Sequence, residues 1–376
     1  MILPAVAPIN VISIKQDLHI NGPVIIETGE APNFTIITSQ YNSAFLTGEV
    51  HEVFEWLETL DIRPHEREQE PFLEQQPQKR TTLDGLNKSM LRCLPKMETI
   101  LNSVCLIRWT EVEEGEIVPY TGTGFLASIP DMGIAFISAG HNFISKWLNN
   151  DLNTNFGVTN HVLYFGNLKG VNNPNGWNAN PRHGTIVNMS SFLKQFNARG
   201  SISYNGRKIL VQGGEVIKYE TAQLDEERSE DYCALLLDHE HVKNELLQIG
   251  LDYLQCGQHD YLDCEQGGIV VLFGHPADGA EEENGHRPLR MSFGVESDPD
   301  HVKKNFQGKE TYADNFLFYD NDTLAGHSGS PVIGRGNVSS NQAYCVKGIH
   351  VSASELEKTN QAQKLKNLTK WINSRK

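Results

Sequence analysis

The stretch 121–141, TGTGFLASIPDMGIAFISAGH, indicates the fold of this 376-residue chain more clearly than any other segment. It contains two short apolar runs, 123–129 and 133–138, and the turn residues Pro130, Asp131 and Gly133 separate them. Short apolar runs bounded by turn residues are typical of a β-hairpin. The sequence then places His141 directly after the second strand of that predicted hairpin.

The rest of the body repeats this pattern of short strands bounded by turn residues. Further runs are VCLIRWT (104–110), HVLYFG (161–166), YCALLLD (232–238), GIVVLFG (268–274), FLFY (316–319), SPVIG (330–334) and AYCVKGIHV (343–351). Many short strands without alternating helices predict an all-β body built as antiparallel barrels or a sandwich. Thirteen asparagines between 149 and 197 indicate long surface loops. In 355–373, helical spacing predicts a closing amphipathic helix through Ala362, Leu365, Leu368 and Ile372.

The chain divides into three parts by composition. Residues 1–60 carry β-branched alternation and then a helical period over 50–60, which predicts a small β-plus-helix module. Residues 61–85 are rich in Glu, Gln, Arg and Pro and predict a linker, and residues 86–376 form the body. The 50–60 helix closes its own module or docks a protein partner, and both alternatives stay open.

Charge and cysteine content exclude several classes of function. With 32 Lys and Arg against 47 Asp and Glu, the net charge is −15, so we expect neither a nucleic-acid partner nor a membrane partner. The six cysteines form no CxxC pair and no zinc-type spacing, so we expect no metal site and no disulfide scaffold. The N-terminus lacks a basic residue before its apolar stretch, which indicates the first segment of a mature protein rather than a secretory signal. A reduced, intracellular (cytoplasmic) chain is the expectation.

One motif near the C-terminus carries a candidate nucleophile. In GHSGSP (326–331), Gly326 and Gly329 flank Ser328, and the following strand holds the turn. A serine on such a turn projects its hydroxyl while backbone N–H groups converge beside it, which suits attack on a carbonyl. The same pattern is also compatible with a tight turn of no function. His141 and the acid Asp231 at the start of YCALLLD supply a candidate base and a group to orient it.

Taken in order, these motifs resemble those of the trypsin-like (chymotrypsin-fold) serine peptidases over roughly 103–372. The resembling segments are TGTGFL with ISAGHNF, DYCALLLD, the turn Gly274-His275-Pro276, and GHSGSPVIG. The resemblance implies two antiparallel six-stranded β-barrels with a C-terminal helix. It also implies a serine endopeptidase that acts on polypeptides through an acyl-enzyme and needs no cofactor.

The resemblance also implies a role for each residue of the site. Ser328 is the implied nucleophile, His141 the general base and later acid, and Asp231 the group that orients the imidazole. The N–H groups of Gly326 and Ser328 are the implied oxyanion hole. The acids that compete for the role of Asp231 are Glu230, Asp225 and Asp238.

The residues implied to line the substrate pocket are Thr323, His350 and Ala353. A hydroxyl facing an imidazole suits a carboxylate or carboxamide. The pair resembles the one in bacterial glutamyl endopeptidases, and related viral peptidases use a similar pair for Gln. We therefore expect Glu, Gln or Asp before the scissile bond. The alternative is a basic substrate residue at that position, which the carboxylate of Asp322 would bind. Ala353 stands where the family usually has Gly, which narrows the pocket.

The chain also departs from the secreted members of this family. Asn142 and Leu324 stand where those enzymes carry cysteines, and His327 stands where they carry the aspartate that pairs with a newly cut N-terminus. Activation by insertion of an N-terminus is therefore not expected. Two alternatives to an active peptidase remain: a catalytically silent scaffold or binding protein on the peptidase fold, and an unrelated β-barrel hydrolase.

Overall fold

The computed structural model describes residues 24–27, 35–38, 43–47, 97–113, 116–144, 161–166, 185–221, 230–256, 269–276, 289–297, 314–321, 323–336, 344–354 and 359–373. In chain order the strands are β1 (Val24–Glu27), β2 (Thr35–Thr38), β3 (Ser43–Thr47), β4 (Val104–Glu113), β5 (Glu116–Ile129), β6 (Gly133–Ser138), β7 (Val162–Phe165), β8 (Thr185–Asn188), β9 (Arg199–Tyr204), β10 (Arg207–Gln212), β11 (Glu215–Thr221), β12 (Asp231–Leu236), β13 (Leu254–Gln255), β14 (Ile269–Gly274), β15 (Leu289–Val295), β16 (Phe316–Tyr319), β17 (Pro331–Arg335), β18 (Tyr344–Ser354) and β19 (Thr359–Lys364). The α-helices are α1 (Met97–Ser103), α2 (Met189–Gln195), α3 (Val242–Gln248) and α4 (Leu368–Ile372).

Two large sheets contain all of these strands. The first has the order β11-β10-β9-β12-β6-β5-β4-β7-β8, with β13 running parallel beside β5. The second has the order β1-β2-β3-β15-β14-β17-β18-β19-β16. The strand neighbours along both orders are antiparallel, which confirms the all-β prediction and is consistent with a chymotrypsin-like two-barrel architecture.

Six strands of the second sheet close into a ring. An antiparallel bridge joins Glu296, just after β15, to Tyr319 at the end of β16. The hydrogen bond from Ser297 N to Phe318 O (2.8 Å) reinforces this contact. The ring therefore runs β15-β14-β17-β18-β19-β16, which is the predicted count of six, and β1 to β3 extend the sheet beyond it.

Strand β5 explains why the predicted hairpin is apolar on both faces. Phe125, Leu126 and Ala127 are each fully buried. Phe125 and Ala127 belong to a core that also contains residues of the second sheet such as Val271. Leu126 points to the other face and joins a separate core with Phe136. Burial of both faces removes the polar alternation of a half-exposed strand.

The C-terminal segment differs from the prediction in its first half. A short C-terminal helix is present as α4, but Ala362 lies in β19 and Leu365 in a 3-10 turn, Leu365–Asn367. Strand β19 pairs with both β18 and β16. Because β19 lies between two strands, its backbone polar groups are paired on both edges within the sheet, although Ala362 falls at helical spacing with Leu365.

Several elements were not anticipated from the sequence. The asparagine-rich region predicted as loops contains β8 and α2 among its described residues, besides β7, which the run HVLYFG predicted, and β9 to β11 follow it. The predicted 50–60 helix and the 61–85 linker lie outside the described residues. No described helix has both the length and the apolar character needed to span a bilayer.

The cysteines differ from the expectation of a fully reduced chain. Cys345 is disulfide-bonded, and its partner lies outside the described residues. Cys105 and Cys233 are free thiols, and both they and Cys256 are buried. The expectation of a reduced chain therefore does not hold at Cys345.

Candidate active site

Strand register brings His141 to Asp231. Strands β6 and β12 are antiparallel, with Ser138 opposite Cys233, so the end of β6 lies beside the start of β12. His141 sits in a 3-10 turn, Gly140–Asn142, directly after β6. A Cβ on Gly140 would lie 1.9 Å from Ser203 O, so this close approach requires glycine.

Two hydrogen bonds join His141 to Asp231. The main-chain N–H of His141 donates to Asp231 Oδ1 (3.0 Å), and His141 Nδ1 lies 2.7 Å from Asp231 Oδ2. The exposed fractions of the two side chains are 23% and 15%, so the pair is shielded while remaining reachable. A carboxylate at Nδ1 selects the tautomer with the proton on Nδ1, which leaves Nε2 able to accept a proton.

The acids that competed with Asp231 in the sequence bind elsewhere. Glu230 Oε1 accepts the Trp371 indole N–H (3.3 Å), and Asp238 Oδ2 accepts from Arg199 Nε (2.8 Å). Asp225 lies outside the described residues.

Two further side chains surround the His141–Asp231 pair. The Tyr204 ring centroid lies 5.6 Å from that of His141, and burial, followed by the Asp231 charge, raises the pKa of Tyr204. Gln363 Oε1 accepts the main-chain N–H of Asp231 (3.3 Å), although Gln363 belongs to the second sheet. The pair is therefore supported from both sheets.

The turn that carries Ser328 has the backbone shape predicted from its glycines. Gly326 and Gly329 have φ of +93° and +92°, a region that favours glycine. A Cβ on Gly329 would stand 1.9 Å from Thr123 O. The turn thus packs directly against β5, and both the φ angle and this close contact exclude a larger residue at position 329.

Hydrogen bonding within the turn leaves two N–H groups available. The N–H of His327 donates to Leu324 O (3.1 Å), and the N–H of Gly329 donates to His350 O (2.7 Å). Within the described residues, the N–H groups of Gly326 and Ser328 donate to no backbone carbonyl. These are the two donors predicted for the oxyanion hole.

The turn is bound to the histidine loop through its main chain. The N–H of Thr123 and the side-chain amide of Asn142 both donate to Ser328 O, at 2.8 and 2.9 Å. No hydrogen bond joins Ser328 Oγ to His141 in the part of the chain that the structure describes. The structure thus joins His141 and Asp231 through their side chains. Ser328 is held near them through its main-chain oxygen, which accepts from Asn142 and Thr123.

His350 lies at the predicted pocket in a buried polar setting. Its Nδ1 is 2.6 Å from the Tyr319 hydroxyl, and its side chain is 4% exposed. Burial, with a contribution from His141, lowers the pKa of His350 to about 3, so the imidazole is neutral. Burial raises the pKa of Tyr319 well above its usual range, so the phenol keeps its proton.

Thr323, the other predicted pocket residue, has an internal partner. Its hydroxyl donates to Asn360 Oδ1, and Asn360 Nδ2 donates to Asn321 O. Ala353 pairs with Asn360 in the β18–β19 register. Asp322, the residue that would bind a basic substrate side chain, lies outside the described residues.

His327, between the two N–H donors, is fully buried. Its Nδ1 accepts the Leu324 N–H (2.9 Å), and its Nε2 has no hydrogen-bond partner among the described residues. Burial, followed by electrostatic interaction with His350 and Arg290, holds the pKa of His327 well below its usual range. A neutral imidazole therefore occupies the position between Gly326 and Ser328.

The sequence did not single out Tyr319 and Asn360 as pocket residues. Tyr319 is the last residue of the short apolar strand β16, and Asn360 lies in a segment that was predicted as helix. Neither carries a local motif that could have revealed it. Among the described residues, no group of three or more His, Cys, Asp or Glu side chains could hold a metal ion.

Comparisons with known proteins give low similarity. No family model matches the chain, and no curated protein matches it. One similar solved structure is the scabies mite inactivated protease paralogue S-I1, with 11% identity, a TM-score of 0.39, and coverage of 75% of this chain and 97% of that chain. Another is the scabies mite inactivated protease paralogue S-D1, with 10% identity, a TM-score of 0.39, and coverage of 72% and 91%.

Proposed function

We propose that the protein is a serine endopeptidase that hydrolyses peptide bonds through an acyl-enzyme on Ser328. The observation that carries this proposal is the double hydrogen bond of His141 to Asp231, at 3.0 and 2.7 Å, beside the glycine-flanked Ser328 turn. A pair with this geometry prepares an imidazole nitrogen to take a proton from a nearby alcohol.

The proposed reaction has two halves. Ser328 Oγ attacks the scissile carbonyl carbon while His141 Nε2 takes the hydroxyl proton, and the N–H groups of Gly326 and Ser328 bind the developing oxyanion. The C–N bond then breaks, and the imidazolium gives its proton to the leaving amine. Water repeats the sequence on the ester and regenerates Ser328, with Asp231 stabilising the imidazolium each time.

The first step requires Ser328 Oγ and His141 to come into hydrogen-bond reach. Catalytic hydrogen bonds are often long in free enzymes and shorten when substrate binds. The absence of this bond among the described residues is also what favours the second candidate, a catalytically silent peptidase-fold scaffold or binding protein. The two candidates differ in the reactivity of Ser328.

Labelling with a fluorophosphonate probe tests the proposal. We expect the wild-type protein to gain one phosphonyl group on Ser328, and we expect Ser328→Ala and His141→Ala to abolish labelling. Thr185→Val, which removes a buried hydrogen bond to Ile249 O away from the site, is the matched control and is expected to label normally. A folded wild-type protein that takes no label would favour the scaffold.

The pocket chemistry supports a preference for Glu, Gln or Asp before the scissile bond, with Gln the best fit. A buried hydroxyl proton needs an acceptor, so Tyr319 donates to His350 Nδ1 and leaves the imidazole proton on Nε2. Thr323 gives its proton to Asn360 and can only accept a further bond. A donor on His350 and an acceptor on Thr323 together complement a carboxamide, which carries a carbonyl oxygen and an NH₂ group.

Digestion of a peptide library tests this specificity. We expect cuts mainly after Gln and fewer after Glu and Asp. Tyr319→Phe removes the hydroxyl that holds the His350 proton on Nε2, so we expect this variant to lose the ranking. Cuts mainly after Lys or Arg would contradict the proposed pocket and would point to Asp322.

A further inference from the structure

Asn142 follows the proposed base and is almost completely buried, with 2% of its surface exposed. Its Nδ2 lies 2.9 Å from Ser328 O, 3.1 Å from Ser138 Oγ and 3.5 Å from Thr123 O. An amide NH₂ has two protons, so the two shorter contacts account for both. One of these protons connects the loop of His141 to the main chain of Ser328.

The Ser328–Gly329 peptide group is fixed at both of its polar atoms. Ser328 O accepts from Thr123 N (2.8 Å) and from Asn142, which occupies both lone pairs of the oxygen. Gly329 N donates to His350 O (2.7 Å). Because this peptide group follows directly on the Ser328 Cα, its orientation constrains the direction of the Cα–Cβ bond that carries Oγ.

The chain leaves space for the Asn142 amide at two glycines. A Cβ on Gly122 would lie 2.6 Å from Asn142 Nδ2, and a Cβ on Gly329 would lie 3.0 Å from it. Distances this short are unfavourable for a carbon next to a fixed polar atom, so larger residues at these positions would displace the amide. The two glycines belong to the two motifs on either side of it, TGTGF and GHSGSP.

The main chain of Asn142 is fixed separately by His161. His161 Nε2 donates to Asn142 O (2.7 Å), and its ring stacks on Trp109 with centroids 5.1 Å apart. Burial lowers the pKa of His161 to about 4, so the ring is neutral at ordinary pH and its Nε2 proton makes this bond. Asn142 is thus held at its carbonyl oxygen while its side chain holds Ser328.

We propose that Asn142 is a positioning residue that sets the orientation of Ser328 relative to His141. Its amide joins the base loop to the nucleophile turn, so the two reacting groups share one rigid support. This inference rests on the proposed function, because the consequence of the bridge is the attack geometry of Ser328. A displacement of about 1 Å at a reacting atom can lower the rate by about 100-fold.

The test compares Asn142→Ala and Asn142→Asp with the wild type and with the control Thr185→Val. We expect both Asn142 variants to lower the rate of fluorophosphonate labelling by about 10- to 100-fold. Turnover of a Gln peptide should show the loss in kcat, with KM nearly unchanged, because the pocket residues are not touched. Thr185→Val should change neither.

The carboxyl group that Asn142→Asp introduces is nearly the same size as the amide, so this variant separates hydrogen bonding from packing. An ionised carboxylate repels Ser328 O, whereas a protonated carboxyl donates one hydrogen bond to that oxygen. The ratio of variant to wild-type activity should therefore rise as pH falls, whereas a purely structural defect would leave the ratio flat. Wild-type labelling rates in both variants would overturn the proposal.

Hydrogen–deuterium exchange separates this inference from the proposed function. In a Ser328→Ala background, Asn142→Ala should speed exchange in the peptide covering 323–336, where Gly329 N–H is bonded to His350 O. Faster exchange in this background, together with an otherwise wild-type protein that keeps Ser328 and takes no label, would keep the bridge and reject the peptidase. Unchanged exchange would reject the bridge, whatever the labelling result.

Discussion

Asp231 contacts both the main chain and the ring of His141, so its replacement tests whether Asp231 orients the proposed base. In Asp231→Asn, an amide N–H faces Nδ1 and selects the tautomer that carries its proton on Nε2. That nitrogen then cannot accept the Ser328 proton, and we expect kcat to fall by about 10⁴-fold with little change in KM.

Steady-state kinetics of Asp231→Asn on a Gln peptide check this expectation. Asp238→Asn is the matched control, because Asp238 pairs with Arg199 outside the site and its loss should leave kcat unchanged. If Asp231→Asn kept kcat within about tenfold of the wild type, the tautomer argument would be wrong.

For single residues, the sequence could predict those that lie in motifs, but it could not predict their partners from distant parts of the chain. His141 follows a strand, Asp231 begins one, and Ser328 lies in a glycine-flanked turn before one, so local chemistry marks them. Tyr319 reaches His350 only because β16 and β18 both pair with β19. That register is a property of the folded sheet and has no local signal.

Among the elements, the predictions were correct where strands are short, apolar and bounded by turn residues. Strands β6, β12 and β14 are examples. The prediction was wrong over β19, whose residues TNQAQK are mostly polar yet buried. Their side chains bind site residues, as Asn360 binds Thr323 and Gln363 binds Asp231. A strand whose buried contacts are polar lacks the apolar period from which strands are recognised.

The short helices could not be predicted from the sequence either. α2 and α3 contain 7 residues each, too short for a clear hydrophobic period. α2 begins after its N-cap Asn188, whose side chain accepts the Ser191 N–H (3.1 Å), in a region whose many asparagines indicated loops. The same residue type serves turns and helix N-caps, so composition alone could not separate the two.

For the whole molecule, α4 connects the two sheets. It follows β19 of the second sheet, and its Trp371 stacks on Tyr232 of β12 with ring centroids 3.9 Å apart and an interplanar angle of 10°. Ser201 of β9 donates to Trp371 O (2.6 Å). α4 is therefore anchored in the first sheet, on the strand that begins with Asp231.

Replacement of Trp371 tests whether this contact stabilises the whole fold. Trp371 is 1% exposed, and Trp371→Ala leaves a cavity beside Tyr232, so we expect a loss of about 3–5 kcal/mol in the free energy of unfolding. Trp371→Phe keeps an aromatic ring on Tyr232 and loses the N–H bond to Glu230, so its loss should be closer to about 1 kcal/mol. Urea denaturation followed by circular dichroism measures both. Equal losses in the two variants would assign the contribution of Trp371 to its hydrogen bond instead of its stacking, and α4 would then join the sheets through Glu230, the neighbour of Asp231.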